Sequence, residues 1–233
     1  MRWNAGNSLG LAEATVMRIE ANSSLLFIGD SITDCGRARP VGEANPWNWG
    51  EIGTGYVRDV AAFLGATYPE RAIRVRNVGS SGNTVRDMAE RWKSDVTDLA
   101  PDWLSVMIGI NDVWRQFDSP LAPERAVPLA EYSETLWSLC HRTRPKLKGL
   151  VLMTPFMIEA NRDDAMRARM DEYGAAVHEI AEEFEAVFVD TQAAFDALLE
   201  HCHPASIAWD RVHPGPVGHM TIARAFLRGV GAL

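Results

Sequence analysis

The sequence has little of what marks secreted, membrane-spanning or nucleic-acid-binding proteins. It contains only three cysteines, Cys35, Cys140 and Cys202, and their wide spacing is unlike a disulfide framework. Polar residues interrupt every hydrophobic run within residues 1–22, so that no secretory signal is indicated. The longest nearly apolar stretch, Leu150 to Ile158, is far too short to cross a bilayer. We therefore expect a cytoplasmic protein with no membrane partner.

Positive charge is also scarce. The chain carries 23 Lys and Arg against 31 Asp and Glu, a formal charge of −8, and no cluster of basic residues stands out. This balance argues against nucleic acid as a ligand. Hydrophobic residues make up 47% and charged residues 23% of the 233 positions, which is typical of a folded protein. We predict an N-terminal extension over residues 1–22 and a single domain over residues 23–233.

Short apolar runs alternate with segments of helical periodicity along the chain. This alternation is typical of an α/β domain, in which a parallel sheet is covered by helices on both faces. Nearly continuous apolar runs are expected for strands buried on both sides. Five such strands are predicted: Leu25–Gly29, Ile73–Gly79, Trp103–Gly109, Gly149–Pro155 and Ala186–Thr191.

Three helices have clear sequence signals. Thr84 and Asp87 form an acidic variant of the capping box, which predicts a helix start at that point. The last helix should begin at Pro216, because proline suits the first helical turn. The segment from Arg37 to Gly55 is predicted to be a long loop. A further helix is indicated by apolar residues at steps of three and four, which we assign to the core rather than to a cofactor site: Met166, Met170, Tyr173, Val177, Ile180 and Phe184.

Polar residues stand directly after the predicted strands. Ser31 follows the first strand, Gly82 the second and Asn111 the third, while Asp210 and His213 precede the last helix. Because ligands bind beyond the carboxyl ends of the strands in an open parallel sheet, we expect these residues to meet at one edge.

The chemistry of these residues fits acyl transfer. Ser31 would be the nucleophile and His213 the base that accepts its proton and returns it to the leaving alcohol. Asp210 would orient the imidazole. The backbone N–H groups of Ser31 and Gly82, with the Asn111 amide, would stabilise the oxyanion. Each element alone also fits a turn or a helix cap, and only their joint occurrence at the strand ends is specific.

The four segments resemble those of the SGNH, or GDSL, hydrolases. Ser31 lies in GDSIT, Gly82 in SSGN, Asn111 in GIND and His213 in DRVH. The resemblance implies a flavodoxin-like three-layer α/β/α fold, a Ser-His-Asp triad that includes Asp210, the oxyanion hole described above, and no cofactor.

Longer segments are similar to bacterial intracellular acetylxylan esterases of this family. They are GDSITDCGRARP, SGNTVRDM, MIGINDVWRQ, FVDTQAAF and AWDRVHP. This similarity implies that the substrate is a small acetylated carbohydrate, namely acetylated xylose or a short xylo-oligosaccharide.

Four further residues are candidates for substrate contact. Trp114 and Trp209 lie within a few residues of Asn111 and Asp210, and either could form a wall of the acyl pocket. Arg37 and Arg115 follow the segments that contain Ser31 and Asn111, and they could bind substrate hydroxyls. Surface salt bridges are the equal alternative for both arginines.

Other features are less specific. Trp47 and Trp49 in the long loop could stack on a sugar, and the alternatives are a loop packed on the core or a subunit contact that would form a homo-oligomer. The His201-Cys202-His203 segment lacks the spacing of a complete metal site, so we expect no metal.

Three functions are open at this point. A carbohydrate deacetylase is favoured. An esterase or thioesterase for lipid-like substrates would use the same triad but would need a long apolar channel. A non-catalytic sugar-binding module is disfavoured by the complete set of candidate residues, and labelling of Ser31 by a fluorophosphonate would separate it from the two enzymes.

Overall fold

A six-stranded sheet forms the centre of the domain in the computed structural model, which describes residues 17–233. Its strand order is β2-β3-β1-β4-β5-β6. All neighbours are parallel except β2, which runs antiparallel to β3. The strands are β1 (Ser24–Gly29), β2 (Gly42–Glu43), β3 (Arg74–Asn77), β4 (Trp103–Met107), β5 (Gly149–Met153) and β6 (Val187–Val189).

The α/β class is confirmed, but the number of strands predicted from the sequence, five, is wrong. The additional edge strand β2 lies in the segment that was predicted to be only a loop. Two residues are too few to give a periodic signal, and the strand depends on its partner, with Gly42 opposite Asn77 and Glu43 opposite Arg76. The Glu43 carboxylate also accepts two hydrogen bonds from Arg74, at 2.6 and 2.7 Å.

Several predicted strands are longer than the real ones. β3, β4 and β5 end at Asn77, Met107 and Met153, two residues before the predicted ends. Residues 78–79 and 108–109 continue the apolar runs, but they turn out of the sheet and begin the loops that carry the polar residues. Beyond β5, the polar Thr154 already ends the strand.

Helices cover the sheet in two layers. In one layer, α2 (Tyr56–Thr67) and α7 (Thr191–Leu199) both pack on α8 (Pro216–Gly229). In the other, α5 (Leu129–Thr143) packs on α3 (Val85–Glu90) and α6 (Ala165–Glu183), and α6 packs on α4 (Ile110–Asp118). The short helix α1 (Ser31–Asp34) directly follows β1. No helix within residues 17–233 is long and apolar enough to cross a bilayer.

The predicted helix signals are confirmed. Both hydrogen bonds of the capping box between Thr84 and Asp87 are present at the start of α3. Pro216 is the first residue of α8. The methionine and aromatic residues of the stripe on α6 are buried in the core, with Phe184 partly buried at the end of the helix.

The predicted N-terminal extension lies mostly outside the described residues. Its last part, residues 17–22, is packed on the domain. Met17 and Ile19 are buried in the core, and the Arg18 backbone N–H donates to the Val230 carbonyl at 2.9 Å. The segment from residue 17 onward is therefore part of the folded unit.

Candidate active site

Ser31 lies where β1 turns into α1. The preceding residue, Asp30, caps this helix by accepting a hydrogen bond from the Ile32 backbone N–H at 3.0 Å. Asp30 is 1% exposed, and burial raises its pKa to about 7. Cys35 ends the helix in a left-handed conformation, with φ 42°. The Ser31 side chain is thereby held at the carboxyl end of the strand, where it is partly exposed.

Ser31, His213 and Asp210 form one hydrogen-bonded chain. Ser31 Oγ lies 2.9 Å from His213 Nε2, and His213 Nδ1 lies 2.7 Å from Asp210 Oδ2. The other oxygen of Asp210 accepts from the backbone N–H groups of Val212 and His213, at 3.0 and 2.8 Å. This arrangement lets the imidazole take a proton from the serine while the carboxylate stabilises the imidazolium.

The charge of Asp210 suits this arrangement. Burial would raise the pKa of Asp210, but the hydrogen bonds from the His213 side chain and from the two backbone N–H groups outweigh it and lower the pKa below its ordinary value. Asp210 is therefore ionised at neutral pH. A second histidine, His219, accepts from the Tyr56 backbone N–H at 3.3 Å, and burial lowers its pKa to about 4. It is neutral near pH 7.

Arg211 fixes the turn that joins Asp210 to His213. Its backbone is left-handed, with φ 64°, which is uncommon for a residue other than glycine. Its carbonyl accepts from the Ile158 N–H at 2.9 Å, and its guanidinium bonds the carboxylates of Glu159 and Asp164 at 2.7 and 3.1 Å. These contacts tie the turn to the segment after β5 and to the start of α6.

The loop that carries Gly82 is tied to the serine segment. The Asp34 carboxylate in α1 accepts from both the backbone N–H and the hydroxyl of Ser81, at 2.9 and 2.8 Å. The Ser80 N–H donates to the Gly29 carbonyl at 3.0 Å. Gly82 itself has φ +82°, and a Cβ there would meet nothing within 4 Å. Glycine is thus required by the backbone conformation rather than by crowding from the protein.

Asn111 is oriented by two neighbours. Its Nδ2 donates to the Asn83 carbonyl at 2.9 Å, and its Oδ1 accepts from Arg115 Nη2 at 3.0 Å. One hydrogen of the Nδ2 group is left for another acceptor. The bond to Asn83 also places Asn111 beside the Gly82 loop. The three predicted oxyanion donors therefore come from segments that are hydrogen-bonded to one another.

Arg91 has no motif that would have identified it in the sequence, yet it joins the segments of the site. Its guanidinium donates to the carbonyls of Gly29 and Val78 at 2.9 and 2.6 Å, and to Asn83 Oδ1 at 2.6 Å. It thus connects the ends of β1 and β3 with the Gly82 loop.

The two arginines that were candidates for substrate contact have different surroundings in the structure. Arg37 is 6% exposed and donates to the main-chain carbonyls of Gly79 and Pro40, while burial lowers its pKa to about 10. Its Nε and Nη1 groups already serve main-chain carbonyls of the loop, whereas Nη2 has no partner among residues 17–233. A contact between Arg37 and substrate stays a prediction. Arg115 lies at the site, but it bonds Asn111 and pairs with Asp118.

The four candidate tryptophans also differ in their position relative to the triad and in their exposure. Trp114 packs against His213, with ring centroids 5.8 Å apart. Trp209 directly precedes Asp210 and is 87% exposed. Trp47 is 94% exposed and does not hold the loop on the core, whereas Trp49 is 47% exposed and borders a depression that Ala61 and Val75 also line.

The His201-Cys202-His203 segment follows α7 and belongs to a turn. The His203 ring accepts from the Ala205 N–H at 3.2 Å. Within residues 17–233, no group of three or more His, Cys, Asp or Glu side chains is arranged to hold a metal ion.

Asp112, beside Asn111, is fully buried. Its Oδ1 accepts from the Val85 N–H at 2.9 Å, whereas Oδ2 has no partner within the described chain. Burial, together with the charges of Asp30 and Asp87, outweighs that hydrogen bond and raises the pKa of Asp112 to about 7. In the folded protein this carboxyl is therefore protonated below about pH 7.

Replacing Asp112 with asparagine should change the pH dependence of stability. In the wild type, the contribution of Asp112 is fully present below the unfolded-state pKa of about 4 and is lost as the pH rises through about 7. The asparagine side chain does not titrate, so the stability of the variant relative to wild type should rise by on the order of 3–4 kcal/mol between pH 4 and pH 8. Urea unfolding at several pH values measures this difference. Asp163→Asn, at an exposed position, is the control, and a difference independent of pH would contradict the expectation.

Comparison with known proteins agrees with this geometry. The GDSL-like Lipase/Acylhydrolase family model matches residues 27–220. An acetylxylan esterase from Geobacillus stearothermophilus is 58% identical over 215 residues, which cover 92% of this chain and 97% of that protein. Its crystal structure superposes with a TM-score of 0.90. Structures of its catalytic variants, with a serine, an aspartate or a histidine replaced by alanine, match equally well.

A second solved structure is similar over nearly the whole chain. LAE5, described as an alpha/beta hydrolase enzyme from the metagenome of Lake Arreo, is 52% identical, with a TM-score of 0.90. The match covers 94% of this chain and 99% of LAE5.

Proposed function

The chain belongs to the GDSL-like lipase/acylhydrolase family, and from this premise we propose that it is a serine esterase that removes acetyl groups from short xylo-oligosaccharides. The observation that carries the proposal is the hydrogen-bonded chain from Ser31 through His213 to Asp210. The acetylxylan esterase that is 58% identical supports the choice of substrate.

The proposed reaction has two halves. His213 Nε2 takes the proton of Ser31 Oγ as that oxygen attacks the acetyl carbonyl, and the oxyanion is stabilised by the N–H groups of Ser31 and Gly82 and by the Asn111 amide. The C–O bond to the sugar then breaks, and His213 returns the proton to the departing hydroxyl. Water, activated by the same imidazole, hydrolyses the acetyl-enzyme and releases acetate. Each group acts without a metal or a cofactor.

The substrate class is tested by comparing acetyl release from three substrates. Acetylated xylotriose, 4-nitrophenyl acetate and acetyl-CoA present the same acyl group on a sugar, an aryl alcohol and a thiol. We expect the highest kcat/KM for the xylotriose ester. A clear preference for acetyl-CoA would instead indicate a thioesterase.

Acyl length gives a separate prediction. A methyl group at Gly29 would lie 2.3 Å from the Met107 carbonyl oxygen, and one at Gly79 would lie 2.4 Å from the Asp34 nitrogen. The strand ends next to Ser31 are therefore close-packed at both glycines, and we expect a long acyl chain not to fit between them. We expect 4-nitrophenyl acetate to be cleaved at least about tenfold faster than the octanoate, since each tenfold needs only about 1.4 kcal/mol. Faster cleavage of the octanoate would favour a lipid substrate.

We also propose that the protein works in a reducing compartment, as expected for the cytoplasm, and self-associates. All three cysteines are free. Exposed apolar side chains, including Trp47 and Val217, offer surface for contact with a second copy. Light scattering coupled to gel filtration measures the oligomeric state.

A further inference from the structure

A small cavity lies beside the catalytic histidine, between α4 and the start of α6. Its volume is about 270 Å³. Two of its lining residues adjoin the triad: Trp114 packs against the His213 ring, and Arg211 lies in the turn between Asp210 and His213. Trp114, Phe117, Met166, Asp118, Asp164 and Arg211 form most of its wall.

We propose that this cavity is a subsite that holds one pyranose ring of the xylo-oligosaccharide on the leaving-alcohol side of the ester. The proposal rests on the proposed function and specifies where its sugar binds. Within the triad, His213 protonates the departing hydroxyl, so the sugar must leave from the His213 side of Ser31. The cavity lies on that side, because its lining residue Trp114 packs against the His213 ring.

The lining has the composition that sugar binding needs. Trp114, Phe117 and Asp118 share one face of α4, since residues three and four apart are neighbours on a helix. The Phe117 ring is 43% exposed and can stack on the apolar face of a pyranose. Trp114 forms the inner wall, with the Arg115 guanidinium 5.1 Å from its ring centroid. The aromatic ring that a sugar can cover from solvent is therefore Phe117.

Charged groups around the ring can bond its hydroxyls. Asp118 and Asp164 each use both oxygens in contacts within the protein, Asp118 with Arg115 and Ser119, and Asp164 with the start of α6 and with Arg211. A carboxylate has about four acceptor positions, so both can also accept from sugar hydroxyls. The two ion pairs of Arg211 involve only Nη1, and its side chain is 42% exposed.

These charged groups also disfavour the binding of an apolar ligand in the cavity. A lipid chain in the cavity would remove the Asp118, Asp164 and Arg211 groups from water without giving them a hydrogen-bonding partner, which is costly. A hydroxylated ring replaces the lost water contacts.

The test is a comparison of two acetyl esters in a Phe117→Ala variant. One ring of acetylated xylotriose would occupy the cavity, whereas the leaving group of ethyl acetate is too small to reach Phe117. We expect KM for acetylated xylotriose to rise at least about fivefold, because removal of a central aromatic contact typically costs this much in binding. The kcat value and the kinetics of ethyl acetate should stay within about twofold of wild type, and Phe117→Trp should restore KM.

Leu121→Ala is the matched control. Leu121 is an apolar side chain shortly after α4, is 99% exposed, and does not line the cavity. It should leave both substrates unaffected. An unchanged KM for acetylated xylotriose in Phe117→Ala would overturn the subsite while leaving the proposed function intact. An equal loss on both esters would also overturn it, because the effect would then be structural. If wild type does not cleave acetylated xylotriose at all, the proposed function fails, and the subsite fails with it.

Discussion

Ser31→Ala is expected to abolish ester hydrolysis while leaving the fold intact. Within residues 17–233, the Ser31 hydroxyl is the only group that hydrogen-bonds His213 Nε2, at 2.9 Å, and alanine offers no nucleophile. Loss of a catalytic serine typically lowers kcat by roughly 10⁵-fold or more. The side chain makes no other hydrogen bond in the described chain, so thermal unfolding should change little.

The measurement is kcat on 4-nitrophenyl acetate, together with fluorophosphonate labelling followed by peptide mass spectrometry. Wild type should be labelled at Ser31 and the variant should not. Ser94→Ala is the control, since Ser94 is an exposed serine whose hydroxyl bonds only its neighbours Arg91 and Asp95. Residual activity above about one per cent, with the Ser94 control fully active, would mean that another group attacks the ester.

The sequence could predict which residues meet in the candidate site, because the parallel topology of the sheet brings the strand ends together. Ser31 and His213 are 182 positions apart, yet one follows the central strand β1 and the other precedes the last helix. In a parallel sheet the carboxyl ends of the strands share one edge. Polar residues at those ends were therefore expected to meet, and the hydrogen bonds of the triad agree with that expectation.

The residues that hold the site in place could not be predicted in this way. Arg91 and Arg211 act through bonds to main-chain carbonyls and to distant carboxylates, and such contacts depend on the path of the loops. Nothing in the sequence distinguishes Arg37, which is buried against carbonyls, from Arg211, which is partly exposed beside His213. The edge strand β2 was missed for a similar reason, because its two residues pair only once β3 is in place.

Arg115 is a further example of a contact that the sequence could not predict. Its position four residues after Asn111 fits a contact with substrate as well as a contact within the helix. The structure shows that Nη2 donates to Asn111 Oδ1 at 3.0 Å. That bond holds the Oδ1 end of the amide at Arg115, so the Nδ2 end faces Asn83 and keeps one hydrogen for another acceptor. No spacing rule contains this detail.

Asp210→Asn is expected to produce the second largest loss, a fall in kcat of roughly 10³- to 10⁴-fold. The turn should survive, because asparagine Oδ1 can still accept from the Val212 and His213 N–H groups that now bond Asp210 at 3.0 and 2.8 Å. The other position becomes an NH₂ group, which donates and cannot accept from His213 Nδ1–H. The imidazole is then favoured as the tautomer with its proton on Nε2, and in that form it cannot take the proton of Ser31.

This variant tests the contribution of the Asp210 carboxylate separately from that of the nucleophile and the base, since Ser31 and His213 both remain. Nitrogen-15 NMR of the His213 ring should show the proton on Nε2 in Asp210→Asn and on Nδ1 in wild type. Asp190→Asn is the control: Asp190 also accepts a backbone N–H, from Ala193 at 2.8 Å, as the N-cap of α7, but it lies outside the triad, so kcat should stay near wild type. If Asp210→Asn kept kcat within tenfold of wild type, the carboxylate would not be what holds the base in its reactive form, and the proposed role of Asp210 would have to be given up while that of Ser31 could stand.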